Sequence, residues 1–161
     1  MSLNQYNSAF KETIFNALKG LETFVMLEPY AIGNKKFTSM EEAVTEAEEK
    51  RYPFFTATVF TSDNVIGDCK SDSPQDIKRN SRSGDLVYYT WTVFSFELDD
   101  SGKINYSEII ADVDSEREAL AIANAVKKVY SYLNVAIQQT EQTLSEYIGS
   151  CGEPQIIKED K

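Results

Sequence analysis

LVYYTWTVFSFELDDSGKINYSEIIADVDSEREALAIANAVKKVYSYL, residues 86–133, decides the fold. From Val87 to Leu98 almost every side chain is β-branched or aromatic, the composition of a pleated, half-buried surface. Alternation puts Tyr89, Trp91 and Val93 on one face and Tyr88, Phe94, Phe96 and Leu98 on the other. Large apolar groups on both faces predict a strand covered by helix on one side. A neighbouring subunit is one candidate for the second cover. Asp99-Asp100-Ser101-Gly102 supplies turn chemistry, with Gly102 able to take positive φ. Ile104, Tyr106 and Ile110 continue the pattern on a returning strand. Ser115 with Glu118 three residues on then marks a helix start, and acidic side chains in the first turn suit the helix dipole. The stretch therefore reads as strand, tight turn, strand, helix.

Beyond it, Leu120, Ala123, Val126, Val129, Tyr130 and Leu133 form a buried helical stripe, which Ile137, Leu144 and Ile148 extend without a proline. Residues 115–148 are expected as one helix or as two with a bend near Asn134. The bend is favoured, because a domain this size struggles to cover a helix about 50 Å long. Residues 151–161 are a tail, or an edge strand at Gln155 to Lys158.

On the N-terminal side, Leu3 to Lys19 reads as an amphipathic helix stopped by Gly20, and Thr23 to Leu27 as a short β-prone run. Ser39-Met40-Glu41-Glu42 is a capping box. Its helix has Met40, Ala43, Val44 and Ala47 on one face and Glu41, Glu42, Glu46, Glu48 and Glu49 on the other. Tyr52-Pro53 ends that helix, and Phe54 to Thr61 reads as a strand. Thr61 to Gly84 is polar and locally basic through Lys70, Lys78, Arg79 and Arg82. It is expected as a long polar hairpin loop, a feature that in compact domains is functional or disordered.

The whole is expected to be a single α+β domain over residues 1–150, a mostly antiparallel sheet with helices packed on one face. At 161 residues the chain can bury a core without disulfide staples. Its formal net charge of −10 argues against general binding to nucleic acid or anionic membrane. No run reaches the length of a membrane span, and the opening MSLNQYNSAFKE lacks the basic and apolar regions of a secretory leader. There is no histidine, which removes the commonest general base and the commonest transition-metal ligand together. Cys69 and Cys151 could form one disulfide, but two thiols are expected. No cofactor and no catalytic residue is expected.

Two acidic patterns invite a metal. With Gly102 at position six of a calcium loop, Glu97, Asp99, Ser101 and Glu108 fall at positions one, three, five and twelve. An EF-hand-like calcium-binding interaction protein is therefore the alternative reading, although the strand-like YYTWTVFSF stands where an entering helix is needed. Asp112, Asp114, Glu116 and Glu118 alternate at a strand–helix junction, where they more simply cap the helix and face water.

From Tyr52 to Leu133 the order of elements resembles the tail-terminator and tail-completion proteins of phages. The likeness is carried by the Tyr-Pro opening a strand, the polar hairpin loop, the strand YTWTVFSFE, and the helix SEREALAIANAVKKVYSYL after the sheet. The capped acidic helix at Ser39 to Lys50 and the extended C-terminal helix depart from the pattern. The resemblance implies a non-enzymatic ring subunit at a virion neck or tail joint, built in the host cytoplasm and contacting other virion proteins. An acidic surface would suit a ring through which DNA passes unbound. Association is expected through the sheet and the 62–84 loop, with Lys70, Lys78, Arg79 and Arg82 meeting Glu42, Glu46 and Glu49 of an adjacent copy.

Overall fold

The computed structural model describes residues 8–28, 36–63 and 69–158. In chain order the elements are α1 (Ser8–Leu18), β1 (Leu21–Glu28), α2 (Met40–Glu49), β2 (Phe54–Asp63), β3 (Cys69–Ser71) and β4 (Gln75–Arg79). There follow β5 (Leu86–Leu98), β6 (Ile104–Val113), α3 (Glu116–Val129), β7 (Asn134–Gln142) and β8 (Tyr147–Ile156). This is an α+β fold. The hydrogen-bonded strand order is β1-β2-β4-β5-β7-β8, with β3 joined to β2 and β6 to β5. The registered ladders β1–β2, β2–β3, β2–β4, β4–β5 and β5–β6 are all antiparallel.

Chain contacts fall into two compact units, Gly20–Thr90 with Thr140–Cys151, and Trp91–Gln139 with the segments up to Lys19 and from Gly152. Each has a core of its own. In the first, α2 lays Met40, Ala43, Val44 and Ala47 on Val25, Leu27, Phe55, Ala57, Val59, Ile77, Leu86 and Tyr88. The register makes this one face: Val25 lies opposite Val59, Leu27 opposite Ala57, and Phe55 opposite Ile77. In the second, Ala119, Ile122, Ala123 and Val126 of α3 and Phe10 of α1 pack on Val93, Val135 and Ile137, with Trp91 half-buried beside them. Each core is closed by its own helices, α2 over the first and α1 with α3 over the second.

The local signals at the helix starts act as their chemistry requires. Ser39 caps α2 by accepting from the Glu42 N–H at 3.1 Å, and Ser115 does the same for the Glu118 N–H at 3.1 Å. The Ser115 hydroxyl also donates to the Glu118 carboxylate at 3.0 Å, so this buried residue is satisfied twice. Gly20, at φ +89°, takes the left-handed conformation that ends α1. The first residues of the predicted 3–19 helix lie outside the described part of the chain.

Two expectations are corrected. The 62–84 segment is not one long loop, because β3 and β4 within it both pair with β2. Residues 64–68 of it lie outside the described part. The predicted helix over 115–148 stops at Val129, and Asn134–Gln142 and Tyr147–Ile156 are strands. The α3 end is held without glycine or proline: Lys127 Nζ donates to the Ser131 and Leu133 carbonyls at 2.9 and 2.7 Å. These carbonyls lie past the helix, so the side chain folds the 131–133 turn back on the end of α3, where its charge suits the dipole. Beyond that turn, Val135, Ala136 and Ile137 are completely buried, with Val135 and Ile137 on the helix-covered face and Ala136 in a separate cluster.

Candidate functional site

The four predicted cations share a short stretch of chain but not an environment. Lys70 sits on β3 opposite Thr61, and Lys78 on β4 between Phe54 and Val87. Arg82 is in the 80–85 turn, where its N–H donates to Asn80 Oδ1 at 2.8 Å. Lys70, Lys78 and Arg82 are exposed. Arg79 points elsewhere. Its guanidinium donates to Glu48 Oε1 at 2.6 Å, to the Gly84 carbonyl at 2.8 Å and to the Tyr52 carbonyl at 2.8 Å. A planar fork of donors suits this triple task, which ties the end of α2, Tyr52 ahead of β2 and the β4–β5 turn together.

The predicted acidic partners are also partly occupied within the chain. Glu42 accepts a hydrogen bond from the Thr38 hydroxyl, and Glu46 pairs with Lys50 at 3.7 Å. Glu49 is exposed at the end of α2. The charge match between a basic segment and an acidic helix therefore exists inside one copy, at Arg79 and Glu48.

The second face of β5 carries the more distinctive surface. A bulge between Val93 and Phe94 turns Ile110 to the helix-covered core and sets Ile109 opposite Phe94. A second irregularity sets Leu98 opposite Ile104. Phe94, Phe96 and Ala136 form a small cluster that includes no helical residue. Beside it Ile109 is 66% exposed, Leu98 53% and Ile104 38%. The Ile157 N–H donates to the Val135 carbonyl, a pairing that places Ile156, 53% exposed, on the same side as Ala136. Three strands, β5, β6 and β8, thus place exposed leucine or isoleucine around a cluster that no described helical residue joins. A roughly few-hundred-Å² apolar patch of this kind is the scale at which monomer surfaces become interaction sites.

The turn that closes the β5–β6 hairpin is built on Asp99. Its Oδ1 accepts from the Ser101 N–H and hydroxyl at 2.9 and 2.6 Å and from the Lys103 N–H at 2.9 Å. These bonds, the Ser101 hydroxyl first, hold the Asp99 carboxyl below its ordinary range. Residues 97–108 are thus a hairpin between two strands, not a loop between two helices. Among the described residues no group of three or more carboxylate or thiol side chains is arranged to hold a metal.

One cluster has no counterpart in the sequence reading. Glu141 lies near both Tyr89 and Cys151. Burial, then Glu141, pushes the Tyr89 hydroxyl up, and the same two causes raise the Cys151 thiol. A thiol held in its neutral form is a poor nucleophile. At pH 8 Cys151 is therefore expected to react with a disulfide reagent more slowly than exposed Cys69, and Glu141→Gln should narrow the gap. Equal rates in the native protein would contradict this account. Nothing in the sequence joins these residues, since Glu141 and Cys151 lie where a helix and a tail were expected. Above Tyr89, the Gln75 carboxamide accepts from the Tyr89 N–H at 2.9 Å and donates to its carbonyl at 3.1 Å. It serves the Tyr89 backbone beyond Lys78 and Val87, where the registered β4–β5 ladder ends.

Comparison with models of protein families, with characterised proteins and with solved structures found no match to this chain.

Proposed function

We propose that the chain is a non-enzymatic structural subunit that works by assembling with copies of itself, as a ring component at a phage virion neck or tail. The observation that carries the reading is the exposed Leu98, Ile104, Ile109 and Ile156 around buried Phe94 and Phe96, a face to which no described helical residue contributes. Exposed leucine and isoleucine on adjacent strands favour burial against a partner at about 25 cal/mol per Å². The order of elements from β2 to α3, which resembles the phage tail-terminator and tail-completion proteins, supplies the setting. The formal charge of −10 accords with a ring that lets DNA pass without holding it.

The test is mass in solution. Light scattering on samples up to about 1 mM reaches contacts worth only about 4 kcal/mol. The expected result is a mass that rises above the 18.2 kDa of one chain as concentration increases. Ile109→Asp should return the protein to monomer with its fold intact, because the side chain is 66% exposed. A chain that stays monomeric at every concentration contradicts the proposal.

A further inference from the structure

The β5–β6 hairpin has a charge as distinctive as its apolar face. Residues 97–112 contain five acidic side chains against one basic, Lys103; Glu97 and Glu108 alternate to the other face, Asp99 and Asp100 stand in the turn, and Asp112 is in register on the apolar face. Asp112 is exposed on the same face as Ile109, on the side of β6 where Thr92 donates to it at 3.3 Å. Residues 69–82 carry the opposite balance at the surface, with Lys70, Lys78 and Arg82 against Asp72 and Asp76, while Arg79 is turned inward to Glu48. The exposed part of that surface is itself partly apolar. Lys78 lies in register with Phe54 on one side and Val87 on the other, and Phe54 is 57% exposed.

We infer that the acidic, apolar face of the β5–β6 hairpin in one copy receives the basic surface of Phe54, Lys78 and Arg82 in the next. The inference rests on the self-assembly proposed above and names its contact. Both patches join a bulky apolar group to charge, and the charges are opposite, so each matches the other better than itself. Two hairpin faces brought together would set Asp100 and Asp112 against the same acids of the partner, and like charges in register disfavour that pairing. A contact between two different patches is heterologous. Repeated from copy to copy, it closes into a ring or continues as a filament, whereas a self-matching patch stops at a dimer. The acceptor differs from the α2 surface first expected, because Glu48 and Glu46 are engaged within their own chain. The apolar part alone falls short of the roughly 800 Å² per partner of a stable interface. The charged rim must therefore contribute, and association should weaken with salt.

The experiment uses two variants of the full chain, Lys78→Glu with Arg82→Glu, and Asp100→Lys with Asp112→Lys. All four positions are exposed, so circular dichroism should show native folds. Light scattering is expected to show each variant associating at least tenfold more weakly than the wild type. An equimolar mixture should recover association, because each reversed patch then meets its reversed complement. Association of both single variants at wild-type strength overturns the inference and leaves self-assembly standing. Loss without recovery on mixing overturns it as well. A wild-type chain that never associates overturns both this contact and the assembly it rests on.

Discussion

Phe55→Ala is expected to cost about 3–5 kcal/mol of stability, the range for deleting a buried aromatic side chain. Phe55 is 1% exposed and lies at the centre of the α2 core. It sits opposite Ile77 on β4, and Met40, Val44 and Ala47 of α2 belong to the same cluster. Beyond α2 the cluster lies mainly on strands whose register is fixed by their ladders, so the site can collapse little around the lost ring. The penalty should approach the upper end of that range. Equilibrium urea unfolding measures it as a lower midpoint with an unchanged slope. Ile77→Val, which removes one methylene from the facing position, should cost about 0.5–1.5 kcal/mol. A Phe55→Ala loss below that smaller value would mean that α2 does not close this core as described.

Arg79→Ala carries the second large effect. The guanidinium serves Glu48, Gly84 and Tyr52 at once, and its removal leaves two carbonyls and a carboxylate without that donor. A hydrogen bond involving a charged group contributes about 1.5–3 kcal/mol. The arginine side chain is 32% exposed and water replaces part of the loss, so a total near 2 kcal/mol is expected. Arg79→Lys should recover only part of it, because an ammonium cannot span three acceptors in a plane. Glu48→Gln should cost less than either, since both carbonyl bonds remain. If Arg79→Ala is as stable as the wild type, the clamp is decorative, and Arg79 returns to the surface charges available to a partner.

Arg79 also shows where sequence reading stops. Lys78 and Arg79 are adjacent cations, and only the pairing register of β4 turns one outward and the other toward α2. That register was hidden because β4 buries a single residue, Ile77, and β3 buries none. A strand with one buried side chain has no period to detect. The opposite held for β5 and β6, where thirteen and ten residues alternate around a turn with its own chemistry. Both capped helices were legible for the same reason, since Ser39 and Ser115 announce themselves locally.

The C-terminal hairpin misled through coincidence. Val129, Leu133, Ile137, Leu144 and Ile148 recur at spacings a helix also uses, and neither glycine nor proline separates α3 from β7. The break is made by Lys127, whose side chain reaches forward to carbonyls that have already left the helix. Tertiary burial of Val135 and Ile137 then decides for strand over helix. Of the surfaces proposed for assembly, the bulky second face of β5 was visible in the alternation. The exposure of Ile109 depended on a bulge that the sequence does not mark.

Trp91 is the single tryptophan, and it packs half-buried in the core shared by α1 and α3, not in the core closed by α2. Its fluorescence is therefore a built-in reporter of one core alone. An unfolding curve followed by tryptophan emission watches Val93, Ile122 and Ile137 come apart, while the ellipticity of the same sample averages over both cores. Coincidence of the two curves, or their separation, would tell how far the paired cores melt as one.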